Sequence, residues 1–187
     1  VSEYTPVFHF RASWRDRARP AGHAPCQAAS MGLARLHLAA DCEDMNMITE
    51  IIKVKSGSIL EDKESYSRVT VLGEWIFMSL TAGRDYKTRR MPETARAQAE
   101  QAFRNVEGAL AAVGSSLADV IRSRVFIPRQ EDVKDVMELI GEKYRGIDPT
   151  SCVTCSPLGG PEYLFEIEIT AYRGAGSLEK KHIQISL

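Results

Sequence analysis

Phe165-Glu166-Ile167-Glu168-Ile169-Thr170-Ala171 alternates apolar and polar residues with a period of two, as a strand with one buried face does. Its polar face carries two carboxylates in succession. Glu166 and Glu168 therefore project from the same side of one strand, roughly 6.5–7 Å apart along it. A carboxylate fixed on a rigid strand can hold and orient a water, which a hydrolytic site without metal or histidine requires. The plainer alternative is a pair of glutamates on a solvated sheet face, or one paired with arginines of a neighbouring strand.

Size and composition narrow the possibilities. The 187 residues suffice for one domain with appendages, or at most two small ones. No run approaches the ~18–20 apolar residues a membrane span needs. A net charge of −1 leaves no electrostatic footprint for nucleic acid or anionic lipid. The four histidines are His9, His23, His37 and His182, all outside the interval that reads as folded. A Ser-His-Asp or Cys-His mechanism within one subunit is thereby disfavoured, and no metal-ligand set is expected. Cys152 and Cys155 form a lone Cys-x-x-Cys followed by Ser156-Pro157 and Gly159-Gly160-Pro161. No helix can begin there to activate a thiol, so the pair reads as small buried thiols in a reducing compartment.

Residues 1–47 contain no lysine and no isoleucine but five arginines and three of the four histidines. Such a break in usage marks a boundary. Residues 1–46 read as an N-terminal extension: a tail, a processed segment, or translation from upstream of Met45 or Met47. Residues 47–173 read as the folded domain. Residues 174–187 form a C-terminal tail in which Ile183 and Ile185 could pair onto a sheet edge.

Within the domain, Thr49 to Lys55 alternates weakly as a first strand. Tyr66 to Leu72 and Trp75 to Ser79 are strands joined at Gly73-Glu74, a hairpin signal. Pro92 and Glu93 suit the first turn of a helix, which Ala95, Ala99, Phe103, Val106, Leu110 and Val113 carry forward until Gly114 closes it. Val120 to Ile127 is a strand ended by Pro128. Val133, Val136, Met137 and Ile140 share one face of a second helix, from about Glu131 to Tyr144. Strands near Thr150 to Cys155 and Tyr163 to Tyr172 complete the order β-β-β-α-β-α-β-β, an α+β mixed sheet with two helices on one face.

This order and its details resemble the reactive intermediate deaminase family, also called Rid or YjgF. The matching features are Tyr66, the Leu72-Gly73-Glu74-Trp75-Ile76 hairpin, Ser79, and Gln98 to Val106. Gly114 to Val120, Pro149 and Glu166-Ile167-Glu168 follow in the same order. The resemblance implies a chorismate-mutase-like fold in which three subunits close a trimeric barrel with clefts between them. It further implies cofactor-free hydrolysis of reactive 2-imino or enamino acids to 2-keto acids and ammonia; the expectation for this chain is a cytoplasmic homotrimer that hydrolyses a small-molecule imine or enamine.

Carried over by motif, Glu166 matches the family's water-orienting glutamate, while Tyr66 and Ser79 match cleft residues. The arginine that clamps the substrate carboxylate falls at Ser151, or at Thr150 when the alignment slides by one. Neither has a cation. The usual Ser-Gly pair is Ser79-Leu80, and the helical asparagine falls at Met137. A lost guanidinium–carboxylate pair removes charge-assisted bonds of roughly 1.5–3 kcal/mol each. Arg68, facing the same side as Tyr66, is one substitute for the clamp, and Arg124 is another. Both can instead be structural ion-pair partners of Glu166 or Glu168, the more so for Arg124. The expected site is thus Glu166 as the catalytic group, with Tyr66, Ser79, Ser151 and Arg68 binding substrate. A non-catalytic ligand-binding or regulatory trimer is the alternative. A ribonuclease or translation-inhibitor role is disfavoured by the near-neutral charge and the lack of an aromatic-basic stripe.

Overall fold

The computed structural model describes residues 48–186, so the expectations for residues 1–46 lie outside the described residues. The hydrophobic alternation of six segments builds one six-stranded sheet: β1 (Ile51–Val54), β2 (Val69–Leu72), β3 (Trp75–Ala82), β4 (Val120–Phe126), β5 (Thr150–Thr154) and β6 (Glu166–Tyr172). Their spatial order is β1-β2-β3-β6-β4-β5. All neighbours are antiparallel except the parallel pair β4–β5, so the sheet is mixed, as expected.

Two amphipathic helices, α2 (Ala95–Ala112) and α3 (Val133–Tyr144), follow β3 and β4. Their apolar stripes supply Phe103, Val106, Leu110, Val136 and Ile140 to the core, which the sheet completes with Val69, Val71, Ile76, Val125, Ile167 and Ile169. Phe103 and Tyr144 meet edge to face at 5.5 Å. The first helix starts three residues later than Pro92 suggests. Thr94 caps it by accepting from the Ala97 N–H at 3.2 Å, a stronger start signal than proline with an adjacent acid. The hairpin is as expected, with Leu72 opposite Trp75 and Gly73 at φ +58°, a conformation that suits glycine.

Three features differ from the sequence reading. A one-turn helix, α1 (Ile59–Lys63), joins β1 to β2, making three α-helices rather than two among the described residues. The last strand begins at Glu166 rather than Tyr163, because the preceding loop is held by side chains instead of a ladder: Gln98 accepts from the Leu164 N–H and donates to the carbonyls of Glu162 and Pro92, each at 2.8 Å. Cys152 and Cys155 are exposed, not buried, since they lie on edge strand β5 and just beyond it, where the described chain packs nothing against them. Ile183 and Ile185 are also exposed and form no strand. The start of the tail is docked, with the Gly176 N–H donating to Asp119 at 3.0 Å.

Alternation gives the sheet a second face that the helices leave uncovered. It carries Glu166, Glu168, Thr170 and Tyr172 of β6 beside Trp75 and Phe77 of β3. Trp75 stacks on Phe77 at 6.3 Å and meets Tyr172 edge-on at 5.3 Å. Trp75 and Phe77 remain 43% and 44% exposed, forming an apolar patch on this face. Among the described residues no helix is long and apolar enough to cross a membrane.

Candidate active site

Glu166 opens β6 and stands between Ala82 of β3 and Phe126 of β4. It is half-buried, and burial raises its carboxyl above the ordinary value while the positive charge of Arg68 partly opposes the rise. Among the described residues it makes no ion pair. Glu168, its neighbour on the same face, differs: Arg124 donates to it at 3.0 Å and stacks over Phe126. The two glutamates that look equivalent in sequence are therefore distinct, one partnered and one available.

Arg68 sits just before β2, with only 5% of its surface exposed. Its Nε donates to Glu61 at 3.0 Å, and Glu61 is fully buried. One terminal nitrogen donates to the Leu80 carbonyl at 2.8 Å and to Thr81 Oγ1 at 3.2 Å; the other makes a long 3.5 Å contact with the Tyr66 hydroxyl. The guanidinium lies 5.7 Å from the Tyr66 ring centroid and 5.8 Å from that of Tyr86, within cation–π range of both. Burial raises the Tyr86 hydroxyl above its ordinary value, the Arg68 charge again opposing.

Ser79 lies where β3 gains a residue relative to β6. Met78 pairs with Ile169 and Thr81 with Ile167, so Ser79 and Leu80 together oppose Glu168, a β-bulge. Its hydroxyl donates to the Ser67 carbonyl at 2.7 Å and its N–H to the Arg68 carbonyl at 3.0 Å, tying it to the Tyr66–Arg68 segment. The fold thus brings Tyr66, Arg68 and Ser79 together and places Arg68 within electrostatic reach of Glu166. Ser151 is not brought to this group. It pairs with Ser123 in register and by a 3.3 Å hydroxyl contact, on the helix-facing side of the exposed edge strand.

Sequence reading missed Glu61 and Tyr86. Glu61 had a signal, because Ser58-Ile59-Leu60-Glu61 matches the helix-start pattern of a small hydroxyl three residues before an acid. In place of capping, the carboxylate accepts from the N–H and hydroxyl of Ser56 at 2.7 and 2.6 Å and from Arg68. Tyr86 had none, since it lies in a polar loop. That loop is held to α2 by Asn105, which donates to the carbonyls of Ala82 and Arg84 at 3.0 and 2.9 Å. Beyond Arg68, a cleft of about 550 Å³ opens between Val54–Ser56, Asp85–Lys87 and α2. Among the described residues no cluster of histidine, cysteine and acidic side chains could hold a metal ion.

The family model described as Endoribonuclease L-PSP matches residues 57–173. The chain belongs to this family, the YjgF/Rid group. A YjgF/YER057c/UK114-family protein from Mycobacterium tuberculosis is 30% identical, with a TM-score of 0.60 over 66% of this chain and 99% of that one. A YjgF-family protein from Neisseria meningitidis shares the fold at 22% identity, with a TM-score of 0.57 over 66% of this chain and 95% of that one. A Rid-family protein from Yersinia pestis does so at 18% identity, with a TM-score of 0.55 over 57% and 86%. No curated protein matches the chain. Glu61, Tyr66, Arg68, Ser79, Tyr86 and Glu166 fall inside the span matched to the L-PSP family, and so does α1, the element absent from the sequence reading.

Proposed function

We propose that this YjgF/Rid-family chain hydrolyses a reactive imine or enamine metabolite without a cofactor, as a cytoplasmic homotrimer. The observation that carries the reading is Glu166: a half-buried carboxylate, raised by burial, with no ion pair among the described residues. A carboxyl so placed is a better base for water than an exposed one. It accepts a proton from water as the oxygen attacks the C=N carbon. Return of that proton to nitrogen gives a neutral carbinolamine. Glu166 then takes the carbinolamine hydroxyl proton and passes it to the nitrogen as the C–N bond breaks, so a carbonyl compound and ammonia leave. Imine and water are consumed one for one.

Tyr66 and Ser79 shape an intersubunit cleft in this reading, and the charge of the buried Arg68 acts on Glu166. The aromatic patch of Trp75, Phe77 and Tyr172 supports association of copies through the uncovered sheet face, because covering apolar surface is favourable. To test the catalytic role, imines are generated in situ by an oxidase and ammonia release is followed with the full chain. Glu166→Ala should reduce the enzyme-dependent rate by about 10²-fold or more. Equal rates in the two proteins would remove Glu166 from the mechanism.

A second reading, a non-catalytic ligand-binding trimer, is favoured by one observation: Arg68 is committed to Glu61, and Thr150–Ser151 offers no cation. A metabolite that raises the melting temperature by occupancy yet is never turned over would select it.

A further inference from the structure

If Glu166 hydrolyses an imine, its surroundings also say which imine. We infer that the substrate is an uncharged aldimine or enamine with no carboxylate beside the reacting carbon. This rests on the hydrolytic reading and adds a substrate class to it.

The cations around Glu166 decide the matter. Arg68 is the cation whose charge reaches it, and that guanidinium is already neutralised by the buried Glu61 at 3.0 Å. Its other strong bonds run to Leu80 and Thr81. With 5% exposure it cannot turn its planar fork outward without stranding Glu61, an uncompensated buried charge. Arg124 is spent on Glu168 at 3.0 Å. Arg122, on the same sheet face, stands opposite Thr170, four residues along β6 from Glu166 and so roughly 13 Å away. Arg84 is tied to the Arg89 carbonyl and lies 3.9 Å from Glu162.

Among the described residues of one copy, a substrate carboxylate beside the C=N carbon would therefore meet the Glu166 carboxylate, and the cation whose charge reaches that group is already paired with Glu61. Like charges at such range repel appreciably even at an effective dielectric near 20. The Tyr66 and Tyr86 rings that flank Arg68 offer instead an aromatic wall suited to a neutral, partly apolar body.

The test compares two imines that differ chiefly by the carboxylate. Propan-1-imine is generated from propylamine by an amine oxidase, and 2-iminobutanoate from 2-aminobutanoate by an amino-acid oxidase. Each is followed as loss of the semicarbazide-trapped imine with added full-length protein. The kcat/KM for propan-1-imine should exceed that for 2-iminobutanoate at least about tenfold, the worth of one absent charge-assisted bond. Glu61→Gln, which keeps an acceptor for Arg68 but removes the neutralising charge, should narrow that ratio; thermal melting establishes that the variant is folded. Equal or faster turnover of 2-iminobutanoate by the unsubstituted protein overturns the inference and leaves the hydrolytic reading standing. A ratio unmoved in folded Glu61→Gln also overturns it, because neutralisation by Glu61 would then not be the cause. Acceleration of neither imine overturns the hydrolytic reading itself.

Discussion

Replacing Arg68 by methionine should be among the most damaging single changes in this chain. Methionine roughly fills the stem's volume, so the loss is chiefly electrostatic and polar. Glu61, fully buried, keeps the N–H and hydroxyl of Ser56 but loses its counter-charge. The Leu80 carbonyl and Thr81 hydroxyl lose a donor at 2.8 and 3.2 Å. Removing one member of a buried ion pair costs about 3–5 kcal/mol, against a total stability of roughly 5–15 kcal/mol for a domain. Replacing both members by apolar side chains removes the stranded charge, so Arg68→Met with Glu61→Leu should cost much less than the two single changes added together. Urea unfolding of the four proteins gives the coupling, expected at about 2–3 kcal/mol, the upper end for residues in direct contact. A loss below about 1 kcal/mol for Arg68→Met, or additive single losses, would refute the claim that this pair is closed and dry. The inference about a carboxylate-free substrate would fall with it.

Glu166→Gln should stabilise the protein near neutral pH. A carboxyl raised in the fold ionises first in the unfolded chain, so the unsubstituted protein loses stability as pH climbs from the ordinary carboxylate range through the folded value. Below that range both states are protonated and the advantage disappears; melting temperatures against pH check the sign. Asp119 behaves in the opposite way. Burial alone would raise its carboxyl, but bonds from the Gly176 N–H, the Ser115 hydroxyl and the Ser116 N–H hold it below the ordinary value. Asp119→Ala should cost about 1–3 kcal/mol at neutral pH in urea unfolding. That cost should shrink as pH falls through the folded value, and a flat dependence would contradict the assignment. Gly83→Ala would put a methyl 2.1 Å from the Gln98 carbonyl oxygen, on the backbone of α2 rather than a movable side chain. A loss of about 3 kcal/mol is expected, and a neutral effect would mean that the 83–91 loop stands off from the helix.

Where the pattern is periodic and local, the fold could be read directly. The Phe165–Ala171 alternation, the Gly73-Glu74 hairpin and the stripe from Ala95 to Leu110 each bury one face, and local period and turn chemistry alone fix those faces. The site was legible in its residues but not in its partners. Alternation put Glu166 and Glu168 on one face, yet only the register of β6 against β4 sets Arg124 across from Glu168 and leaves Glu166 unpaired among the described residues. Arg68 was visible as a cation beside Tyr66; that it is closed off by Glu61, seven residues upstream through a one-turn helix, depends on a tertiary contact with no periodic signature. The exposed cysteines failed for a related reason. Burial on an edge strand is set by what packs against it, and nothing in the residues themselves decides that.

The pH–rate profile of imine hydrolysis tests the central claim most directly. If Glu166 orients and deprotonates the attacking water, kcat/KM should rise with pH through one ionisation lying above the ordinary carboxylate range, and Glu166→Gln should lose both that ionisation and about 10²-fold or more of the rate. A Glu166→Gln protein with the same profile and the same rate as the unsubstituted chain would contradict it.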